Sequence, residues 1–170
     1  MIVAIVILWE KQPLASIGLG PLHVSSVAWG LGLAVVMIVV VMPSLAWGLR
    51  VAGIAGFDAG MARILVLPVW IRIIAVITAG VVEDTLYIGY AFTRLTHLTG
   101  RRWLAGTIAV VVIAFLHFPH WGWGPVLAYF VAVGLSVGFF AWRRDLVANI
   151  VAHVIVDGMG LVVTPLLHTT

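Results

Sequence analysis

ILVLPVWIRIIAVITAGVVEDTLYIGYAFTRLTHL, residues 64–98, is apolar for most of its length, yet two adjacent carboxylates, Glu83 and Asp84, stand near its middle. A helix over the whole run would extend about 50 Å at ~1.5 Å per residue, against ~30 Å of bilayer hydrocarbon. The run must therefore protrude, tilt or break, and Gly80 is its weak point. A charge inside a span costs about 2.5–3.5 kcal/mol, so the pair represents roughly 5–7 kcal/mol unless a cavity or partner receives it. A span ending at residue 82 would remove the difficulty, but YIGYAF (87–92) continues the apolar pattern at once.

The rest of the chain fits this setting. Of 170 residues 64% are hydrophobic and 9% charged, with a mean hydropathy of +1.22. A soluble domain carries roughly a quarter charged residues, so the composition is that of a membrane protein. Further apolar runs at 24–49, 103–118, 125–142 and 146–167 predict an all-α, polytopic transmembrane helix bundle of about five full spans. MIVAIVILWE (1–10) is too short for a span and is read as a partial one, the end of an N-terminally truncated helix. A polar linker (10–21) and a Gly-rich loop (50–63) separate the first runs, and with no internal repeat the chain 1–170 reads as a single domain. Trp103, Trp121, Trp123 and Trp142 fall at run ends, as interfacial tryptophans do. The absence of Cys excludes disulfides, thiolate zinc sites and cysteine nucleophiles. Nine Lys and Arg scattered between apolar runs form no basic stripe, which argues against a nucleic-acid partner. Lys11, Arg101, Arg102, Arg143 and Arg144 fall on one side of alternating spans and Arg50 and Arg63 on the other. The positive-inside rule makes the first side cytoplasmic.

Two more apolar runs carry polar groups. His117 lies one turn inside the end of its run, whereas His120, past Pro119 and beside tryptophans, reads as interfacial. Asn149, His153 and Asp157 are spaced four apart, one stripe of a helix. Carboxylates and histidines on three spans can activate a water: Glu83 as base, a histidine to hold the water or a metal, another to stabilise an oxyanion. A proton relay or transporter would instead spread polar residues along whole spans. GLSVG (134–138) fits a Gly-x-Ser-x-Gly pattern, but an apolar span lacks the strand-to-helix elbow that pattern needs. Gly134 and Gly138 are read as a close helix-packing face.

At these residues the chain resembles the CPBP family of intramembrane endopeptidases, which includes CAAX prenyl proteases and the Abi bacteriocin-processing and self-immunity proteins. EDTLYI (83–88) stands for its Glu-Glu-x-x-x-Arg motif, IAFLH (113–117) for Phe-x-x-x-His and HVIVD (153–157) for His-x-x-x-Asn/Asp. The resemblance implies catalytic roles: Glu83 activates water, His117 helps to hold it, His153 and Asp157 support the oxyanion, and Asp84 stands for the second glutamate. It also implies a peptide or prenylated-peptide substrate and a bacterial or archaeal cytoplasmic membrane. Mechanisms with and without metal are argued for the family, and Glu83, His117 and His153 are the candidate ligands for a divalent cation such as zinc. Three departures stand out: Asp84 for Glu, Ile113 for Phe and, above all, Ile88 for the motif Arg. The last keeps open a catalytically weakened member acting as an immunity or scaffold protein.

Overall fold

A computed structural model of the chain describes residues 1–167. Its helices are α1 (2–9), α2 (Val24–Val51), α3 (Asp58–Leu65), α4 (Val69–Thr99), α5 (Arg102–Trp121), α6 (Trp123–Arg143) and α7 (Leu146–Leu167). There is no strand among the described residues. The all-α polytopic bundle is the observed architecture. α2, α5, α6 and α7 are each long and apolar enough to cross a membrane, and α3 with α4 makes a fifth candidate bent by 120°. In these four spans no more than 33% of the apolar window is buried inside the protein, so most side chains face outward, as lipid-facing helices require.

The long run does break, but not at Gly80. Pro68 has no N–H and biases Leu67 away from helix, so α3 ends at Leu65 and Pro68 becomes the extended residue before α4. α4 then continues through Gly80 to Thr99, and from Ala79 to Ala91 it is π-helical. Shorter π segments in α2 (Met37–Val41) and α7 (Met159–Val163) precede Pro43 and Pro165, where an N–H is missing from the helical ladder. In an α-helix residue 165 would bond the Leu161 carbonyl; Arg72, buried in α4, donates Nη1–H to it at 2.8 Å.

α7 is the centre of the bundle, packed against α2 on one side and α4 on another. Both contacts depend on glycine. A Cβ on Gly30 would stand 2.7 Å from the Ala148 carbonyl, and one on Gly80 would stand 2.5 Å from Val154 Cγ2. Gly134 and Gly138 are different: a Cβ at either would meet no atom within 4 Å. They are not a helix-packing face, and with Gly106 they line an apolar groove between α5 and α6. The helix is unbroken there, which leaves no nucleophile elbow.

The core joins four helices: Ile88 and Phe92 of α4, Ala105, Ala109 and Ile113 of α5, Val137 and Phe140 of α6, and Leu146 of α7. Phe92 meets Phe140 edge to face at 5.7 Å. One end of the bundle is closed by the segment after α1. Glu10 accepts from Arg94 Nε at 3.0–3.1 Å and from the Tyr90 hydroxyl at 2.9 Å. Arg144 donates to Thr93 Oγ1 at 3.0 Å and to the Ser16 carbonyl at 3.2 Å. Trp103, Trp123 and Trp142 are exposed as interfacial residues should be, whereas Trp121 packs over Gly60.

Candidate active site

Glu83 and Asp84 lie in the π-helical part of α4, the segment least like a plain span, and π segments recur at functional sites. Being adjacent, the two carboxylates point differently. Asp84 is buried towards α7, where its Oδ1 accepts from His153 Nδ1 at 2.9 Å. The Nε2 of the same ring faces Asp157 Oδ2, one turn along α7, at 3.5 Å. His153 is thus clamped between carboxylates of two helices.

Glu83 is half-exposed and faces α5 instead. Its Oε2 lies 4.0 Å from His117 Nε2. His117 Nδ1 is 2.8 Å from the Ile113 carbonyl, which can only accept, so Nδ1 carries a proton. In the neutral ring this leaves the Nε2 lone pair directed at Glu83. A separation of 4.0 Å is too long for a hydrogen bond, but one water at ~2.8 Å from each atom spans it.

Glu83, Asp84, His117, His153 and Asp157 all line one cavity of about 120 Å³ between α2, α4, α5, α6 and α7. At ~30 Å³ per water this is space for roughly four waters. The remaining lining is largely apolar, including Met37, Ile88 and Val133. Asn149 does not join: its side-chain amide donates to the Ser136 carbonyl at 3.0 Å and ties α7 to α6. His120 is exposed and lies outside the cavity. Tyr129 of α6 was not anticipated. Its ring lies on that of His117, 4.2 Å between centroids and 35° between planes, and it lines the cavity. Nothing in the sequence separates it from an ordinary aromatic in a span.

A family model for type II CAAX prenyl endopeptidases, Rce1-like, matches residues 65–159, more than half of the chain. The chain belongs to this family. The matched stretch runs from the last residue of α3 into α7 and contains all five clustered ionisable residues. No curated protein and no solved structure matches the chain. As an Rce1-like protein with apolar spanning helices, it is an integral membrane protein of a protease family.

The metal that the resemblance raised does not fit these residues as they stand. Zinc at ~2.0–2.1 Å from a carboxylate oxygen and an imidazole nitrogen, in tetrahedral geometry, would hold the two atoms ~3.4 Å apart. Glu83 and His117 are 4.0 Å apart at their nearest paired atoms, and both His153 nitrogens face carboxylates. Among the described residues no group of three His, Asp or Glu side chains converges as a metal centre would. The ligand set Glu83, His117 and His153 is therefore not assembled, and no step below passes through a metal.

Proposed function

We propose that this protein is an intramembrane endopeptidase that hydrolyses a peptide bond with a water activated by Glu83. The observation that carries the reading is the 4.0 Å gap between Glu83 Oε2 and a His117 Nε2 whose partner nitrogen is committed to the Ile113 carbonyl. A water in that gap gives one proton to Glu83, and its oxygen attacks the carbonyl carbon of the substrate. Negative charge then develops on the carbonyl oxygen. His153, in the form protonated at both nitrogens, donates through Nδ1 to Asp84 and offers its Nε2–H to that oxygen, only loosely engaged by Asp157. As the C–N bond breaks, Glu83 passes its proton to the leaving amine. Tyr129 holds the plane of the His117 ring. The largely apolar cavity wall suits an apolar or lipidated peptide, and prenylated peptides are one such class.

One observation favours the alternative of a weakened member acting as an immunity or scaffold protein: Ile88 is buried in the core where the family motif has Arg. Against it, His153 supplies from α7 a hydrogen-bond partner for Asp84. The deciding assay presents a prenylated C-terminal peptide and a panel of leader peptides to the purified full chain and to Glu83→Gln and His153→Ala. The wild type should cleave at least one substrate, and Glu83→Gln should be slower by about 10²–10⁴-fold. Equal rates in all three proteins, or no cleavage by any, would overturn the proposal for these substrates.

A further inference from the structure

At the end of the bundle closed by the segment after α1, a pocket of about 280 Å³ opens between that segment, the start of α2 and the turn from α6 to α7. It shares no lining residue with the cavity of Glu83 and His153. Its walls are tied together by backbone. The Leu146 amide donates to the Gly18 carbonyl at 2.9 Å, and a Cβ on Gly18 would stand 2.5 Å from the Phe140 ring. At ~30 Å³ per water the pocket has space for roughly nine waters, ample for a phosphodiester.

Three kinds of anion-binding group meet there. α2 is 28 residues long, and its first amides, at Val24, Ser25 and Ser26, have no acceptor within the helix. His23, the residue before them, caps none through its side chain. Such a helix end is electropositive. Ser26 is 6% exposed and lines the pocket, yet its hydroxyl makes no hydrogen bond among the described residues. A buried hydroxyl left in this way is costly unless an occupant of the pocket meets it.

Arg143 and Arg144 add the charge. The Arg143 guanidinium is held against the rings of Trp29 and Trp142, its Cζ 4.4 and 5.5 Å from their centroids. Its Nε is buried with no hydrogen-bond partner among the described residues. Arg144 is fixed by Thr93 and the Ser16 carbonyl. Burial, with Arg102 and Arg94 nearby, holds its guanidinium below the ordinary arginine range, a strain that an anion would relieve. Asp145 is the one carboxylate lining the pocket, and its Oδ1 already accepts from the Ala148 amide as the cap of α7. Trp29 and Trp142 are themselves exposed and meet edge to face at 5.5 Å, as tryptophans do at headgroup depth. That depth is where lipid phosphates lie, and two guanidiniums against one committed carboxylate favour a headgroup without a cation of its own.

We propose that this pocket binds the phosphate of an anionic phospholipid, with Arg143, the Ser26 hydroxyl and the first amides of α2 as its donors. The lipid then joins the start of α2 to the turn that begins α7, the helix that carries His153 and Asp157. The site stands apart from the hydrolytic reading of Glu83 and does not depend on it.

Binding can be measured without turnover. The full chain, stripped of lipid in non-ionic detergent, is titrated calorimetrically with dioctanoyl-phosphatidylglycerol, dioctanoyl-phosphatidylcholine and inorganic phosphate. Phosphatidylglycerol should bind about tenfold tighter than either of the others, and rising salt should narrow the difference. Ser26→Ala changes no charge and should weaken phosphatidylglycerol about fivefold. Arg143→Gln should weaken it about tenfold, with part of the loss recovered by Arg143→Lys. Arg101→Gln is the control: Arg101 is exposed near the same end but does not line the pocket, so affinity should stay within about twofold. Saturating phosphatidylglycerol should raise Tm more in the wild type than in Arg143→Gln. Equal affinity for the two lipids, no binding of phosphatidylglycerol, or an affinity unmoved by Ser26→Ala or by Arg143→Gln would each overturn the assignment. A loss in Arg101→Gln equal to that in Arg143→Gln would reduce the effect to the general charge of this end and overturn the pocket. Inorganic phosphate bound as tightly as phosphatidylglycerol would make this a site for a free phosphate and overturn the lipid. If Arg143→Gln does not fold, Ser26→Ala decides, and an unchanged affinity there refutes the proposal.

Discussion

Asp84 is 3% exposed, and only its Oδ1 is bonded; Oδ2 is buried without a hydrogen-bond partner among the described residues. In the family motif an Arg four positions later is placed to pair with this carboxylate, but here Ile88 fills the core instead. The support of Asp84 therefore comes across the bundle from His153, and the dependence is mutual. Asp84→Asn keeps the shape and an acceptor oxygen for His153 Nδ1–H but removes the charge. We expect kcat to fall about 10²-fold with KM within about twofold, because the loss is felt as charge develops on the oxyanion. Steady-state kinetics on the substrate that the Glu83→Gln comparison identifies will test this; an unchanged kcat would mean that His153 needs no charged partner from α4. The five ionisable residues were legible in the sequence because a charge in an apolar run is too costly to be incidental. Tyr129 was not, because an uncharged aromatic in a span reads as packing. Asn149 shares the stripe of His153 and Asp157, but one helix face meets several neighbours along its length, and at residue 149 the neighbour is α6.

The helices α4 and α7 place that pair, and Gly80 sets how closely they approach. A Cβ there would lie 2.5 Å from Val154 Cγ2, on a β-branched side chain with little freedom to turn away. Gly80→Val should destabilise the fold by about 1–3 kcal/mol through overpacking. It should also lower activity further than the stability loss explains, since it separates Asp84 from His153. Gly134→Ala is the matched control: the added methyl meets open space, so stability should stay within about 0.5 kcal/mol. Reversible denaturant titrations in detergent would compare the two, and equal effects would refute the close-approach account. At this scale the sequence was readable in part. Hydropathy located the apolar runs, and Pro68 carried the true break through its missing N–H, although Gly80 drew the attention. The π register of 79–91 leaves no trace in composition, because it is a choice of hydrogen-bond partner that many apolar sequences can make.

Across the whole molecule the two ends differ. One is tied shut by Glu10, Arg94, Ser16 and Arg144, and Arg94 holds the Glu10 carboxyl below the usual carboxylate range, so the tie is charged at neutral pH. A groove of about 590 Å³, which shares Glu83 and His117 with the smaller cavity, leads to the other end, beside Arg63 and Trp121. Lys11, Arg101, Arg102, Arg143 and Arg144 belong to the closed end and Arg50 and Arg63 to the open one. Positive-inside orientation then sets the closed end in the cytoplasm and opens the groove towards the opposite face. The chain has no Cys, so single substitutions report sidedness without background. His97 is exposed at the closed end and Ala52 at the open end. A membrane-impermeant maleimide added to intact cells should label Ala52→Cys and reach His97→Cys only after permeabilisation. That result would direct the search for substrates to peptides presented on the far side of the membrane, such as exported leader peptides. The reverse labelling would overturn the orientation and bring the groove to the cytoplasm, within reach of prenylated C-termini, which are made there. The fold and the cluster of ionisable residues would be unchanged in either case; on the proposed function, the distribution of seven basic residues decides which peptides could reach Glu83.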